Sequence, residues 1–163
     1  MATFGLSGSL RLAPSWSDAL GSSTLSDATT FLNTFSLANG TGVGQANAYW
    51  RDVRTVAANT VDTIETFSLP LSVLGGSGSM DLNAAKMRML YVRNLSELVN
   101  LGLVFDAERI PVSAGGLALF NWPADPEAGA GDFLSANGGE LLIRNDTATS
   151  AQYEILLIGI LST

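Results

Sequence analysis

The chain has 163 residues, 47% hydrophobic and only 14% charged, with a formal net charge of −7. An ordinary soluble domain carries about 25% charged residues, so this length and composition describe one domain with one core and apolar surface left over for other chains. Zero cysteine removes disulfides and thiol nucleophiles, zero histidine removes the usual general base and metal ligand, and the negative field disfavours nucleic acid and anionic membranes as partners.

Taken in chain order, Phe4, Leu6, Leu10 and Leu12 alternate with Ser7, Ser9 and Arg11, which predicts a first strand over residues 3 to 12 that Pro14 stops. In SWSDAL, Ser15 and Asp18 have the spacing of a capped helical turn, which Gly21 would end. Residues 24 to 38 fit either period, and their threonines and phenylalanines favour a strand. NGTGVGQ at 39 to 45 is a turn. Strands follow from Ala46 to Val56 and from Val61 to Leu69, and Asn59 and Thr60 between them predict a hairpin. Pro70 keeps that strand from running on through the middle of a sheet. From Lys86 to Phe105, two alternating apolar runs meet across Asn94, Ser96 and Glu97, which predicts a second hairpin near the centre of a sheet. Short strands are expected at Arg109 to Val112, LALFN, Glu140 to Arg144 and Gln152 to Leu161, the last apolar on both faces from Ile155 onward, as for a strand covered on two sides. About eight to ten antiparallel strands at spacings of roughly ten residues, with no long amphipathic helix, predict an all-β, single-domain, jelly-roll-like β-sandwich.

No motif in the chain demands catalysis. Gly40-Thr41-Gly42-Val43-Gly44 looks like a phosphate cradle, but no helical period follows to aim amides at an anion, so it reads as a turn. Asp125, Glu127 and Asp132, in a loop rich in proline and glycine, offer oxygens to a hard cation such as calcium without the donor spacing of a calcium loop. They read more simply as a solvated acidic loop, and no metal or cofactor is expected. Asp52, Asp62, Glu65 and Glu154 are the carboxylates a glycosidase could use, if two of them faced each other across a cleft. Asn-X-Ser/Thr triplets at 39, 94 and 145 read as turns, because the N-terminus carries no secretory leader and no stretch approaches the ~20 apolar residues of a membrane span. The expected product is therefore soluble.

Trp16, Trp50 and Trp122 are either sugar-stacking platforms or anchors of the core or of a protomer interface. Arg51, Arg54, Lys86, Arg88 and Arg93 are five of the eight basic residues, whereas Asp125, Glu127, Asp132, Glu140 and Asp146 are five of the fifteen acids. On opposite ends, these groups would let subunits meet head to tail or let a basic face dock on an acidic shell. The candidate interface residues are Trp16, Tyr49, Trp50, Arg51, Arg54, Arg88 and Trp122.

From about Leu37 onward, NGTGVGQANAYWRDVRTVAANTVDTIETFSL, MRMLYVRNLS, SAGGLALFNWP and LLIRNDTATSAQYEILLIGI in this order resemble small β-rich virion proteins of tailed bacteriophages, the decoration or cement proteins of the head. The resemblance rests on strand and turn patterns and carries no active-site residue. It implies a sandwich or jelly-roll core and no enzymatic activity. It also implies assembly with copies of itself as a trimer, binding to the major capsid protein, and a place on the virion surface after synthesis in the host cytoplasm. A tail, neck or head-fibre component and a virion-attached carbohydrate-binding module are the alternatives. The first 36 residues match less well and are expected to form an N-terminal arm or edge strands.

Overall fold

A computed structural model describes residues 6–12, 16–20, 23–27, 31–42, 44–70, 78–105, 108–121 and 139–161. The strands are β1 (Leu6–Leu12), β2 (Trp16–Leu20), β3 (Ser23–Asp27), β4 (Phe31–Asn39), β5 (Gln45–Ala46), β6 (Ala48–Val56) and β7 (Thr60–Glu65). After a 3-10 turn at Thr66–Ser68 come β8 (Leu69–Pro70), β9 (Ser79–Met80), β10 (Leu82–Asn94), β11 (Leu101–Phe105), β12 (Glu108–Val112), β13 (Leu117–Asn121), β14 (Glu140–Asn145) and β15 (Ala151–Leu161). The chain folds as an all-β sandwich. Its front sheet has the order β13-β10-β15-β6 and its back sheet β12-β11-β14-β7, every neighbour antiparallel.

The core lies between these sheets because each strand alternates as the sequence predicts. Trp50, Leu90, Val92, Tyr153, Ile155 and Leu157 of the front sheet meet Ile64, Leu101, Leu103, Leu141 and Ile143 of the back sheet in one buried cluster. Each such side chain contributes roughly 1.5–3 kcal/mol on burial. β15 is central and is covered on both faces. Ile155 and Leu157 face the sandwich core, while Ile158 packs outside with Met89 under Leu37 and Ala46, which β4 and β5 lay over it.

Both predicted hairpins are corrected. β10 belongs to the front sheet and β11 to the back, and β6 and β7 divide the same way. The Asn94–Glu97 and Asn59–Thr60 turns therefore carry the chain across the sandwich instead of folding a strand back on its neighbour. A corner and a hairpin share the same local signal, a turn between two alternating runs; the long-range partners β15, β13 and β14 decide between them. The predicted helical turn at SWSDAL is also corrected. It is β2, paired from Trp16 opposite Asp27 to Leu20 opposite Ser23, because an isolated helical turn constrains several residues for one hydrogen bond, whereas the ribbon pairs them directly. The strand expected through Leu69 ends at Glu65. There the Thr66 hydroxyl, fully buried, donates to Gly139 O at 2.7 Å and turns the chain away.

The corners are held by two asparagines that close strands β10 and β14. Asn94 Nδ2 donates to Val99 O and Val112 O at 2.6 and 3.1 Å, and its Oδ1 accepts from Ser96 N. Asn145 repeats the device, with Nδ2 donating to Ala57 O and Thr149 O and Oδ1 accepting from Thr147 N. Neither side chain meets water. Each amide bonds one carbonyl of its own turn, Val99 or Thr149, and one from the end of another strand, Val112 or Ala57, so the turns between sheets at this end are tied together where no ladder reaches them. Backbone bonds from Asn59 to Thr147, from Leu95 to Gln152 and from Gly115 to Ser96 complete the end.

A three-stranded sheet of order β1-β4-β5 pairs Leu6 opposite Leu37 through Leu12 opposite Phe31, antiparallel, and sets β5 parallel to the end of β4, while β2 pairs with β3 alone.

Candidate functional surfaces

The strongest polar constellation bridges the open side of the sandwich, where edge strands β6 and β7 approach. Arg54 donates through Nε and Nη2 to the two oxygens of Asp62, both at 2.8 Å, and the Tyr153 hydroxyl donates to Asp62 Oδ2 at 2.7 Å. Asp52 lies beside Arg54 at 3.4 Å. Burial pushes the Asp62 carboxyl up, but the hydrogen bonds from Arg54 and Tyr153 outweigh it and hold the group below the ordinary aspartate range. Burial, reinforced by Asp62, pushes the Tyr153 hydroxyl well above its ordinary value. The hydrogen bond to Asp62 raises the Arg54 guanidinium in turn. A carboxylate held by a guanidinium fork and a phenol, three hydrogen bonds from the chain itself, is a clasp between sheets.

A second polar unit sits where β10 bulges. Met87 opposes Gly159 and Met89 opposes Ile158, so Arg88 is the extra residue and its side chain turns out of the ladder. Its Nε reaches Gln45 O at 3.1 Å and its Nη2 reaches Gly42 O at 3.2 Å, and the residue is 2% exposed. The glycine run is thus a latched turn, with the Gly42 amide spent on Gln45 Oε1 at 2.8 Å. Gly40, at φ +146°, lies so close to the Gln45 carboxamide that a Cβ there would collide with it. This agrees with reading the run as a turn and leaves that amide no role in an anion cradle.

The remaining described ion pairs lie at the surface. Arg51 pairs with Glu154 across the outer face of the front sheet, with Nε to Oε1 at 2.7 Å. Arg109 and Arg144 both pair with Asp146 on the back sheet, and Arg109 reaches it by lying across Gly102, where a Cβ would strike its side chain. Hydrogen bonding from Arg144 holds the Asp146 carboxyl below its usual range.

The interface residues expected from sequence divide accordingly. Trp50 and Arg88 are corrected: both are consumed inside the chain, Trp50 as a fully buried core residue whose indole N–H donates to Pro70 O at 3.1 Å. Arg54 is turned into the clasp. Tyr49 and Arg51 stand exposed on the outer front face. Trp16 lies in β2 with its side chain outside the described residues, and Trp122, Asp125, Glu127 and Asp132 lie outside them altogether. Among the described residues, no group of three or more acidic side chains is placed to hold a metal ion. Asp52, Asp62 and Glu154, three of the four carboxylates considered for glycoside hydrolysis, are bound to arginines.

No protein-family model matches this chain, and no curated protein matches it. The surfaces therefore carry the functional reading by themselves. The pairing registers lay out the outer front face in rows, Leu117–Arg93–Glu154–Val53 and then Leu119–Tyr91–Leu156–Arg51. Tyr49, Val53 and Leu117 are about half exposed there. The outer back face reads Pro111–Gly102–Arg144–Val61, then Arg109–Val104–Leu142–Thr63, then Glu140 opposite Glu65. The sequence marks Asn94 and Asn145 as turn residues but not the buried ties that their amides make, and it does not single out the Tyr153 hydroxyl. The signal for the first was an asparagine closing a strand two residues before a serine or threonine, in Asn94-Leu95-Ser96 and Asn145-Asp146-Thr147.

Proposed function

We propose that this chain is a non-enzymatic structural protein of a virion, a capsid decoration or cement protein that binds the major capsid protein and its own copies and stabilises the head. One observation carries the reading. The buried polar residues among those described, Thr66, Arg88, Asn94 and Asn145, all bond the chain's own backbone, whereas apolar side chains stand on the outer front face. Polar chemistry is spent on stiffness and exposed surface is offered to neighbours, which suits a protein that holds others in place. The order in which strands alternate between sheets supports a jelly roll: β6, β10, β13 and β15 in front and β7, β11, β12 and β14 behind follow two interleaved Greek keys. That architecture recurs in capsid proteins and also in lectins, so it supports the virion reading by analogy alone. Trp50 in the core leaves the carbohydrate-binding alternative without one of its three stacking candidates.

The test is to purify the chain, determine its oligomeric state by light scattering, and measure its binding to expanded and unexpanded heads of the phage that encodes it. Binding to expanded heads with a rise in their melting temperature is expected. A chain that ignores both forms and is retained on a polysaccharide column would overturn the reading.

A further inference from the structure

The geometry points to a head-to-tail contact between two copies of this chain, with the part of the outer front face that β4 and β5 leave uncovered, around Arg93, Val53 and Leu117, seated on the outer back face of the next. The inference rests on the self-association in the preceding reading and names the surfaces that make it. On the back sheet Glu65 and Glu140 stand directly opposite each other in register, flanked on their own strands by the core residues Ile64 and Leu141, so both glutamates point outward. Facing positions on paired strands bring Cβ atoms within about 5.5 Å, where like charges repel. Neither glutamate makes an ion pair among the described residues. A folded sheet that keeps two unneutralised acids side by side at its surface is suited to receive a cation from outside.

The front face holds the complement. Arg51, Arg54, Arg109 and Arg144 each pair with a carboxylate, and Arg88 bonds backbone carbonyls. Arg93 is exposed at the centre of the front sheet, between Leu117 and Glu154, and makes no ion pair among the described residues. Arg51 stands one row away, its guanidinium mostly exposed although it pairs with Glu154. Around these cations are the apolar side chains Tyr49, Val53 and Leu117, and in the row next to the acids are the half-buried Leu142 and Val104. The paired charges on each face are mixed, Arg51 with Glu154 in front and Arg109 and Arg144 with Asp146 behind, but those without an ion pair among the described residues differ in sign, Arg93 in front and Glu65 and Glu140 behind, and the two faces lie on opposite sides of the sandwich. A contact between unlike faces is heterologous, so repetition closes a ring or extends a stack, whereas pairing like faces would bring arginine to arginine or glutamate to glutamate.

The test uses the full chain and two charge reversals, R51E/R93E on the front and E65K/E140K on the back, with the milder R93Q and E65Q as replacements if a reversal alters the far-UV circular dichroism. Self-association is read by sedimentation velocity over a concentration series. The wild type is expected to associate, each reversal alone to weaken association by about tenfold or more, and an equimolar mixture of the two reversed chains to restore it, because each then offers the face the other lacks. With the milder pair, each single variant weakens association to a smaller degree. A monomeric wild type, an assembly indifferent to either variant, or a mixture of reversed chains that fails to associate would overturn the inference. Head binding, measured separately on the same samples, distinguishes the two readings. A monomer that still binds heads removes only the stacking, and a ring that ignores heads removes only the capsid role.

Discussion

Two aspartates each gather two partners in this molecule, and the contrast between them shows where charge contributes to the fold. Asp62 is held by Arg54 and Tyr153 across the gap between the sheets, with 16% of its side chain exposed. Asp146 is held by Arg109 and Arg144 on one outer face, with 41% exposed. The chemistry is nearly the same, but water and salt screen the second cluster, while the first joins elements that no ladder connects. The buried clasp should therefore carry stability and the surface cluster very little.

The largest effect is expected from Arg54→Ala, which strands the Asp62 carboxylate. Because Arg54 keeps contact with water, the cost should be about 2–3 kcal/mol, below the ~3–5 of a fully buried pair, read as a shift in urea midpoint. Tyr153→Phe removes one charge-assisted hydrogen bond and should cost about 1.5 kcal/mol. The same variant should raise the pH of acid unfolding. Asp62 titrates below its unfolded value of about 3.9, so as pH falls the unfolded chain takes up its proton first; the clasp's stability is present above that value and is lost as pH drops through the folded value. Asp62→Asn should flatten the stability profile below about pH 4, and an unchanged acid limb would contradict the clasp. Last, Asp146→Asn should leave the melting temperature unchanged at physiological salt. A clear drop would mean that the two clusters differ less than their exposure suggests.

The legible part of the fold followed from alternation. LALFN is β13, whereas the strand expected through Leu69 stops at Glu65 and Leu69–Pro70 is a separate two-residue strand. The double burial of β15 was visible in its run of apolar residues from Ile155. Less of the surface was legible. Trp50 and Arg88 belong to residue types enriched at interfaces, yet one fills the core and the other latches a turn, because a bulge and a long-range carbonyl decide where a side chain goes. The Arg54–Asp62 fork spans a chain reversal of eight residues, but its third member, Tyr153, comes from 91 residues beyond Asp62, and no local pattern announces it.

The amino-acid order alone determined that this is a β protein without thiol or imidazole chemistry and where most of its core strands run, since period and composition are local properties of the chain. The tertiary structure alone decided which strands are neighbours, turning two apparent hairpins into crossings, and which charges remain for other molecules. Pairing partners and burial are set by contacts between residues far apart in sequence, and only the assembled sheets bring those residues together.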